Sequence, residues 1–250
     1  EKICESDDEV VIRDYLRVTL DEVFRKRYGA NPGLPVVQQK HSAWLRLSRA
    51  AKAQAEERRS GWVPIRSEDS FEKELDGILV RGKVDRIDRH EVDGSIRVLD
   101  YKTSDALPEE AHWGSVTRDP EQFPEYARFQ GMGKNGKSKE RRWTGLQLPL
   151  YRWWAGEDAN LEITDKEVAV GYFNLPADAE AVGVTLWDEL DDGLMVSAMA
   201  CASGVIGDLK AGLTCSPRAK VMYDDFEDLF FHDSTLATIP LSGNEGESSS

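Results

Sequence analysis

Cysteine is scarce: Cys4, Cys201 and Cys215 make an odd set of three in 250 residues. That excludes a disulfide framework and fits reduced thiols in a cytoplasmic protein. Proline is sparse as well, with ten residues and no low-complexity tract. No run approaches the roughly 18 uninterrupted apolar residues of a membrane-spanning helix, so no membrane association is expected. Positive charge is short too, with 32 Lys and Arg against 46 Asp and Glu and a net charge of −14. The chain as a whole repels polyanions, and a nucleic-acid role requires a local basic patch or a basic partner. The first residue is Glu1 and no signal-peptide pattern follows it, so the chain is expected to begin inside a longer polypeptide.

What is present is a soluble, globular composition, 40% apolar and 31% charged, long enough for one large domain or a domain with a helical appendage. Leu16, Leu20, Val23 and Phe24 fall on one face of a first helix that Asp7 or Asp8 caps. After the breaker Gly29–Gly33, a second helix runs from about Gln38 to Arg59 with Trp44, Leu47, Ala51 and Ala55 inward, and Gly61 ends it. Strands follow near Trp62–Ile65, Gly77–Arg89 and Ser95–Lys102, the last two joined by the turn Val92-Asp93-Gly94. Residues 103–143 lack periodicity, and Arg128–Arg142 reads as a basic loop holding six basic residues and one acid. A helix over Thr144–Gly156, strands over Val168–Leu175 and Val182–Leu186, and a helix over Trp187–Lys210 complete the order. Gly243–Ser250 has the composition of a disordered tail.

The chemistry concentrates in Gly82-Lys83-Val84-Asp85-Arg86-Ile87-Asp88 and Asp100-Tyr101-Lys102-Thr103. Strand parity points Asp100 and Lys102 the same way, and hairpin pairing brings Asp85 beside Asp100. Two converging carboxylates hold a hard cation such as Mg²⁺ through oxygen, leaving coordination positions for water and a phosphate oxygen. The neighbouring ammonium orients the attacking water and offsets charge on the phosphorane. Gln147-Leu148-Pro149-Leu150-Tyr151 adds a polar pair at i, i+4, with Pro149 in a helical first turn. Asp88 has the opposite parity to Asp85 and reads as a surface partner of Arg86 or Arg89. His41, His90, His112 and His232 read as surface or satisfied histidines, Cys201 as a core residue and Trp153-Trp154 as packing against the sheet.

These three motifs, in this order, resemble the PD-(D/E)XK nuclease superfamily, in particular its RecB/AddB-like branch, over about residues 62–175. The resemblance implies an α/β, restriction-endonuclease-like mixed central sheet flanked by helices. It divides the chain into an N-terminal helical segment (1–60), a nuclease core (61–235) and an acidic, Ser-rich tail (236–250). It implies Asp85 and Asp100 as ligands of Mg²⁺ or Mn²⁺, Lys102 as the catalytic lysine, and Gln147 and Tyr151 as substrate-side residues, with Lys134, Lys137 and Lys139 as DNA contacts. For the upstream ligand that the branch often carries, His41, Glu56, Glu57, Glu68 and Glu72 are candidates, and Glu68 is favoured. Many relatives hold an iron–sulfur cluster on four cysteines, and three cysteines cannot, so no cluster is expected. The implied function is metal-dependent DNA hydrolysis, more as an exonuclease than an endonuclease. Its expected setting is double-strand-break repair and recombination, with a helicase partner subunit or an upstream helicase-like domain. The competing class is an inactive nuclease-like scaffold or DNA-binding module, which the presence of Asp85, Asp100 and Lys102 disfavours.

Overall fold

The computed structural model describes residues 3–116, 123–132, 138–163, 167–178 and 181–213. Helix α1 (Glu9–Tyr28) starts where the Asp8 carboxylate accepts the N–H groups of Val10 and Val11. Helix α2 (Leu34–Arg59) starts earlier than expected because Pro35 occupies its first turn, where the missing N–H has no partner to lose. The two helices pack through Ile12, Ala51 and Ala55. Val23, expected inward, is exposed, and Ile12 is the buried apolar residue of α1.

Strands β1 (Trp62–Leu75) and β2 (Ile78–His90) form a long antiparallel hairpin closed by Asp76-Gly77, with φ of 47° and 72°. Positive φ at both central residues marks the primed turn whose twist matches paired strands. The strand expected at Trp62–Ile65 therefore continues to Leu75. Antiparallel pairing carries the sheet on to β3 (Ile96–Lys102), around the turn in which Gly94 takes φ 71°. Strand β3 pairs in parallel with β7 (Ala169–Asn174), and β8 (Gly183–Leu186) closes a mixed sheet of order β1-β2-β3-β7-β8.

One face of this sheet carries Ile87, Val98, Val170 and Tyr172 into the main core, against Leu148, Tyr151 and Ala155 of α4 (Gln147–Gly156) and Ala198 and Cys201 of α5 (Asp192–Lys210). Trp154 joins this core and Trp153 packs on it, as expected. Helix α5 begins later than the expected Trp187 because Asp191 caps it, accepting the N–H of Leu194 at 2.8 Å. Trp187 and Leu190 precede the helix as buried anchors. By length and composition alone α5 could cross a membrane, yet Ala198 and Cys201 on its inner stripe lie within the protein core.

The stretch expected as an irregular basic loop is instead part of a second sheet. After the short helix α3 (Pro108–His112) come β4 (Trp113–Ser115), β5 (Arg128–Met132) and β6 (Ser138–Trp143), in the order β4-β6-β5. Aromatics drive this: Phe129 and Trp143 stack with ring centroids 4.6 Å apart, and Trp113 and Trp187 pack edge-on beside them. Among the described basic residues of this hairpin, Arg128 is paired to Glu140 at 3.4 Å and the Arg141 side chain donates to Ser115. The N-terminal helices and both sheets belong to one compact unit ending at Ile206. A second unit runs from Gly207 onward, of which residues 207–213 are described, so the expected tail (236–250) lies outside the described residues.

Candidate active site

The site sits where the β2–β3 ladder opens. The last paired residues are Arg86 and Leu99, and the next step of the same register sets Asp85 opposite Asp100. Instead of a backbone pair, the Asp85 carboxylate fills the gap, its Oδ2 accepting the Tyr101 N–H at 2.9 Å. Asp85 remains part-exposed while Asp100 is buried. Glycine at position 82 is required just upstream, because the Phe71 ring lies where a Cβ would stand.

Helix α4 supplies the third side. Gln147 Nε2 donates to Asp100 Oδ1 at 2.8 Å, and Gln147 Oε1 accepts from Lys102 Nζ at 3.2 Å. One amide thus bridges the carboxylate and the ammonium. Lys102 Nζ also stands 2.6 Å from Asp100 Oδ2 and 5.2 Å from the centre of the Tyr172 ring. Tyr151, one turn along, receives a hydrogen bond from Gln147 Nε2 at 3.0 Å and donates its hydroxyl to the Lys83 carbonyl at 2.7 Å. Gln147 and Tyr151, expected on the substrate side, thus bond to Asp100, Lys102 and the backbone of β2.

His112 anchors this arrangement from below. Its Nε2 accepts the Leu148 N–H at 3.1 Å, satisfying a donor of the first turn of α4 that no side-chain cap serves, and its Nδ1 donates to the Pro108 carbonyl at 2.7 Å. Burial lowers its pKa to about 4, so the ring is neutral at physiological pH, as accepting at Nε2 demands. His112, which the sequence places among surface or satisfied histidines, is a satisfied one; nothing in the residue order ties it to position 148.

Electrostatically the site is short of positive charge. Burial raises the Asp100 pKa and the nearby Asp85 carboxylate raises it further, against the lowering effect of Lys102 and Gln147. Asp100 Oδ2 is buried, and its one neighbour with a donor is the Lys102 ammonium at 2.6 Å, which leaves one of its lone pairs unused. A buried carboxylate oxygen with a spare lone pair, next to a second carboxylate, fits a hard divalent cation. Such an ion, when bound, supplies Lewis-acid polarisation of a phosphate oxygen and a water of lowered pKa.

Glu68 occupies an irregular point of β1, at φ 55°, skipped by the pairing that joins Ser67 to Arg86 and Asp69 to Val84. Its carboxylate is exposed and pairs with Lys83. Among the described residues no three His, Cys, Asp or Glu side chains form a metal-ligand cluster, so Glu68 does not close a triad with Asp85 and Asp100 in this arrangement. Lys139 is exposed on β6, whereas Lys134 and Lys137 lie outside the described residues.

The surface role expected for Asp88 is corrected. Its parity does differ from that of Asp85, but the opposite face is covered by α2, and Asp88 is fully buried. It accepts from Arg86 Nε at 2.6 Å and from Arg97 Nε and Nη2 at 2.9 and 2.8 Å. Arg97 Nη1 reaches Glu57 of α2 at 2.6 Å, and its guanidinium stacks 4.1 Å over Trp62. Arg86 Nη1 reaches Gln54 of α2 at 2.5 Å.

A mixed five-strand sheet flanked by helices, with two carboxylates and a lysine where a hairpin opens, is the restriction-endonuclease-like architecture of the nuclease class. The model of the PD-(D/E)XK nuclease superfamily matches residues 3–195, and the chain belongs to that superfamily. Comparison with curated proteins finds no match.

Proposed function

We propose that this chain is a Mg²⁺- or Mn²⁺-dependent deoxyribonuclease in which Asp85 and Asp100 hold the metal. Lys102 orients the attacking water and stabilises the phosphorane, and Gln147 and Tyr151 fix the positions of these groups. Glu68 provides a third carboxylate on exchanging Lys83 for the ion. The observation that carries the reading is the single amide of Gln147 bridging Asp100 and Lys102, which sets an ammonium beside a buried carboxylate that has an unused lone pair. A purely structural Asp100–Lys102 pair has no need of the second carboxylate, Asp85, that stands beside it and raises the Asp100 pKa. The order of the three motifs supports a RecB/AddB-like exonuclease of double-strand-break repair in the cytoplasm, with a helicase subunit or upstream helicase-like domain supplying the DNA grip that a chain of −14 net charge lacks.

The test is cleavage of single- and double-stranded DNA with Mg²⁺, and its loss with EDTA. Asp100→Asn weakens metal binding and is partly rescued by extra metal. Lys102→Ala retains metal affinity and loses about 10²- to 10³-fold in kcat, as for other preorganised electrostatic groups. Parent protein without metal-dependent cleavage, or Lys102→Ala cutting like the parent, overturns the enzyme reading in favour of a nuclease-like scaffold.

A further inference from the structure

A cleft of about 700 Å³ opens beside Asp85 and Glu68, between the N-terminal helices and the face of the sheet that looks away from α4. The volume is that of a small-ligand site. Three aromatic side chains line it, Tyr15 from α1, Tyr101 from β3 and Phe173 from β7, the last two with ring centroids 5.5 Å apart. Tyr15 and Tyr101 are about half exposed, which leaves their rings available. Gln54 and Arg86 add amide and guanidinium groups to the same lining. Arg86 is 3% exposed and engaged by Asp88, Gln54 and Tyr101, with its guanidinium over the Phe173 ring.

We propose that this cleft receives one unpaired nucleobase of the strand being cut, which deepens the nuclease reading above and rests on it. Three features select that occupant. The cleft and the candidate metal site share Asp85, so a base seated here belongs to a nucleotide adjoining the scissile phosphate. The rim carries the carboxylates of Asp85 and Glu68, which disfavour an anionic occupant and accept a neutral ring. The lining presents the half-exposed rings of Tyr15 and Tyr101, on which any base stacks whatever its sequence. A paired base inside a duplex cannot enter, so the enzyme acts where the strand is single or frayed.

The experiment measures kcat/KM with Mg²⁺ on single-stranded oligonucleotides in which one abasic nucleotide is walked along the chain. For the parent protein, one abasic position next to the cleaved bond lowers kcat/KM by roughly five- to a hundred-fold, the size of one base–aromatic stack. Tyr15→Ala, at an exposed helix position that does not threaten folding, lowers kcat/KM on the intact oligonucleotide similarly and loses nothing further on the abasic one; Tyr101→Leu behaves likewise. The two losses are non-additive. A flat abasic walk, additive losses, or unchanged DNA kinetics in both variants, as a protein ligand in the cleft would give, overturns the proposal while leaving the nuclease reading standing. Absence of any metal-dependent cleavage by the parent refutes the nuclease reading and this one with it.

Discussion

Asp88→Ala is expected to cost about 3–5 kcal/mol of folding stability, the range for removing one partner of a buried ion pair. The structure shows where that penalty arises. Asp88 is the only carboxylate that contacts both Arg86 and Arg97 among the described residues, through three hydrogen bonds of 2.6–2.9 Å. Without it, Arg97 keeps Glu57 and the face of Trp62. Arg86 keeps only neutral contacts, with Gln54, the Tyr101 hydroxyl and the face of Phe173. The burden therefore falls on one buried, unneutralised guanidinium. Glu57→Gln is the internal control: its side chain is 23% exposed, Arg97 retains Asp88, and the expected cost is about 1 kcal/mol. Urea unfolding followed by circular dichroism reads both, and with a slope of about 2 kcal/mol per molar, Asp88→Ala lowers the midpoint by roughly 2 M. Replacing Arg86, Asp88 and Arg97 together with Met, Leu and Met should recover much of the loss, because an apolar trio has no charge to strand. The reasoning is refuted if Asp88→Ala unfolds within 1 kcal/mol of the parent, or if Glu57→Gln costs as much as Asp88→Ala.

Gln147→Leu keeps the bulk of the side chain but removes the bridge between Asp100 and Lys102; kcat should fall about 10- to 100-fold with KM for DNA unchanged. A raised KM at constant kcat in steady-state assays would mark Gln147 as a substrate contact instead. His112 gives a pH signature: its pKa falls from 6.5 to about 4 on folding, so the unfolded chain binds more protons between those values. Stability conferred by the neutral ring is then complete above about pH 6.5 and is lost as pH falls toward 4, by about 3 kcal/mol in all. Urea midpoints of the parent against His112→Gln across pH 4–7 check this, and parallel profiles for the two proteins would refute it.

The sequence exposed the site better than its surroundings, and the reason is distance along the chain. Asp85, Asp100 and Lys102 lie on one hairpin whose Asp93-Gly94 turn sets the register, so period-two parity was enough to bring them together. Gln147 and Tyr151 share a helical face by spacing alone, and the hydrogen bond between them follows. Strand β1 was cut short although its own signal was present. Asp76-Gly77 is a hairpin dipeptide, but the charged run from Glu68 to Glu74 pairs on an exposed edge, where apolar alternation is not needed. Arg128–Arg142 misled in the same way: six basic residues masked Phe129 and Trp143, which carry the packing. His112 was illegible because its partner is a backbone N–H 36 positions away. Asp88 was misplaced because parity says which face a residue takes and not what covers that face.

That last point explains why a charged heptapeptide can sit in a core strand at all. From Gly82 to Asp88 the chain alternates between two different problems. On one face, the Asp85 carboxylate accepts only the Tyr101 N–H among the hydrogen bonds seen, beside Asp100, which on the proposed reading leaves both available to a cation. On the other, Asp88 is fully buried and matches the charges of both Arg86 and Arg97, beside Gln54 and Glu57 of α2. The two demands are linked through adjacent residues on a rigid strand: the Asp88–Arg97 contact fixes β2 against β3 at the paired end of the ladder, and Asp85 then meets Tyr101 N–H where pairing stops. On the proposed reading, the position of Asp85 depends on the Asp88–Arg97 ion pair on the far side of the same sheet. Loosening that network should therefore lower kcat as well as stability in Asp88→Ala, measured at a temperature where the variant remains folded. Loss of stability with unaltered kcat would separate the two faces and refute the linkage.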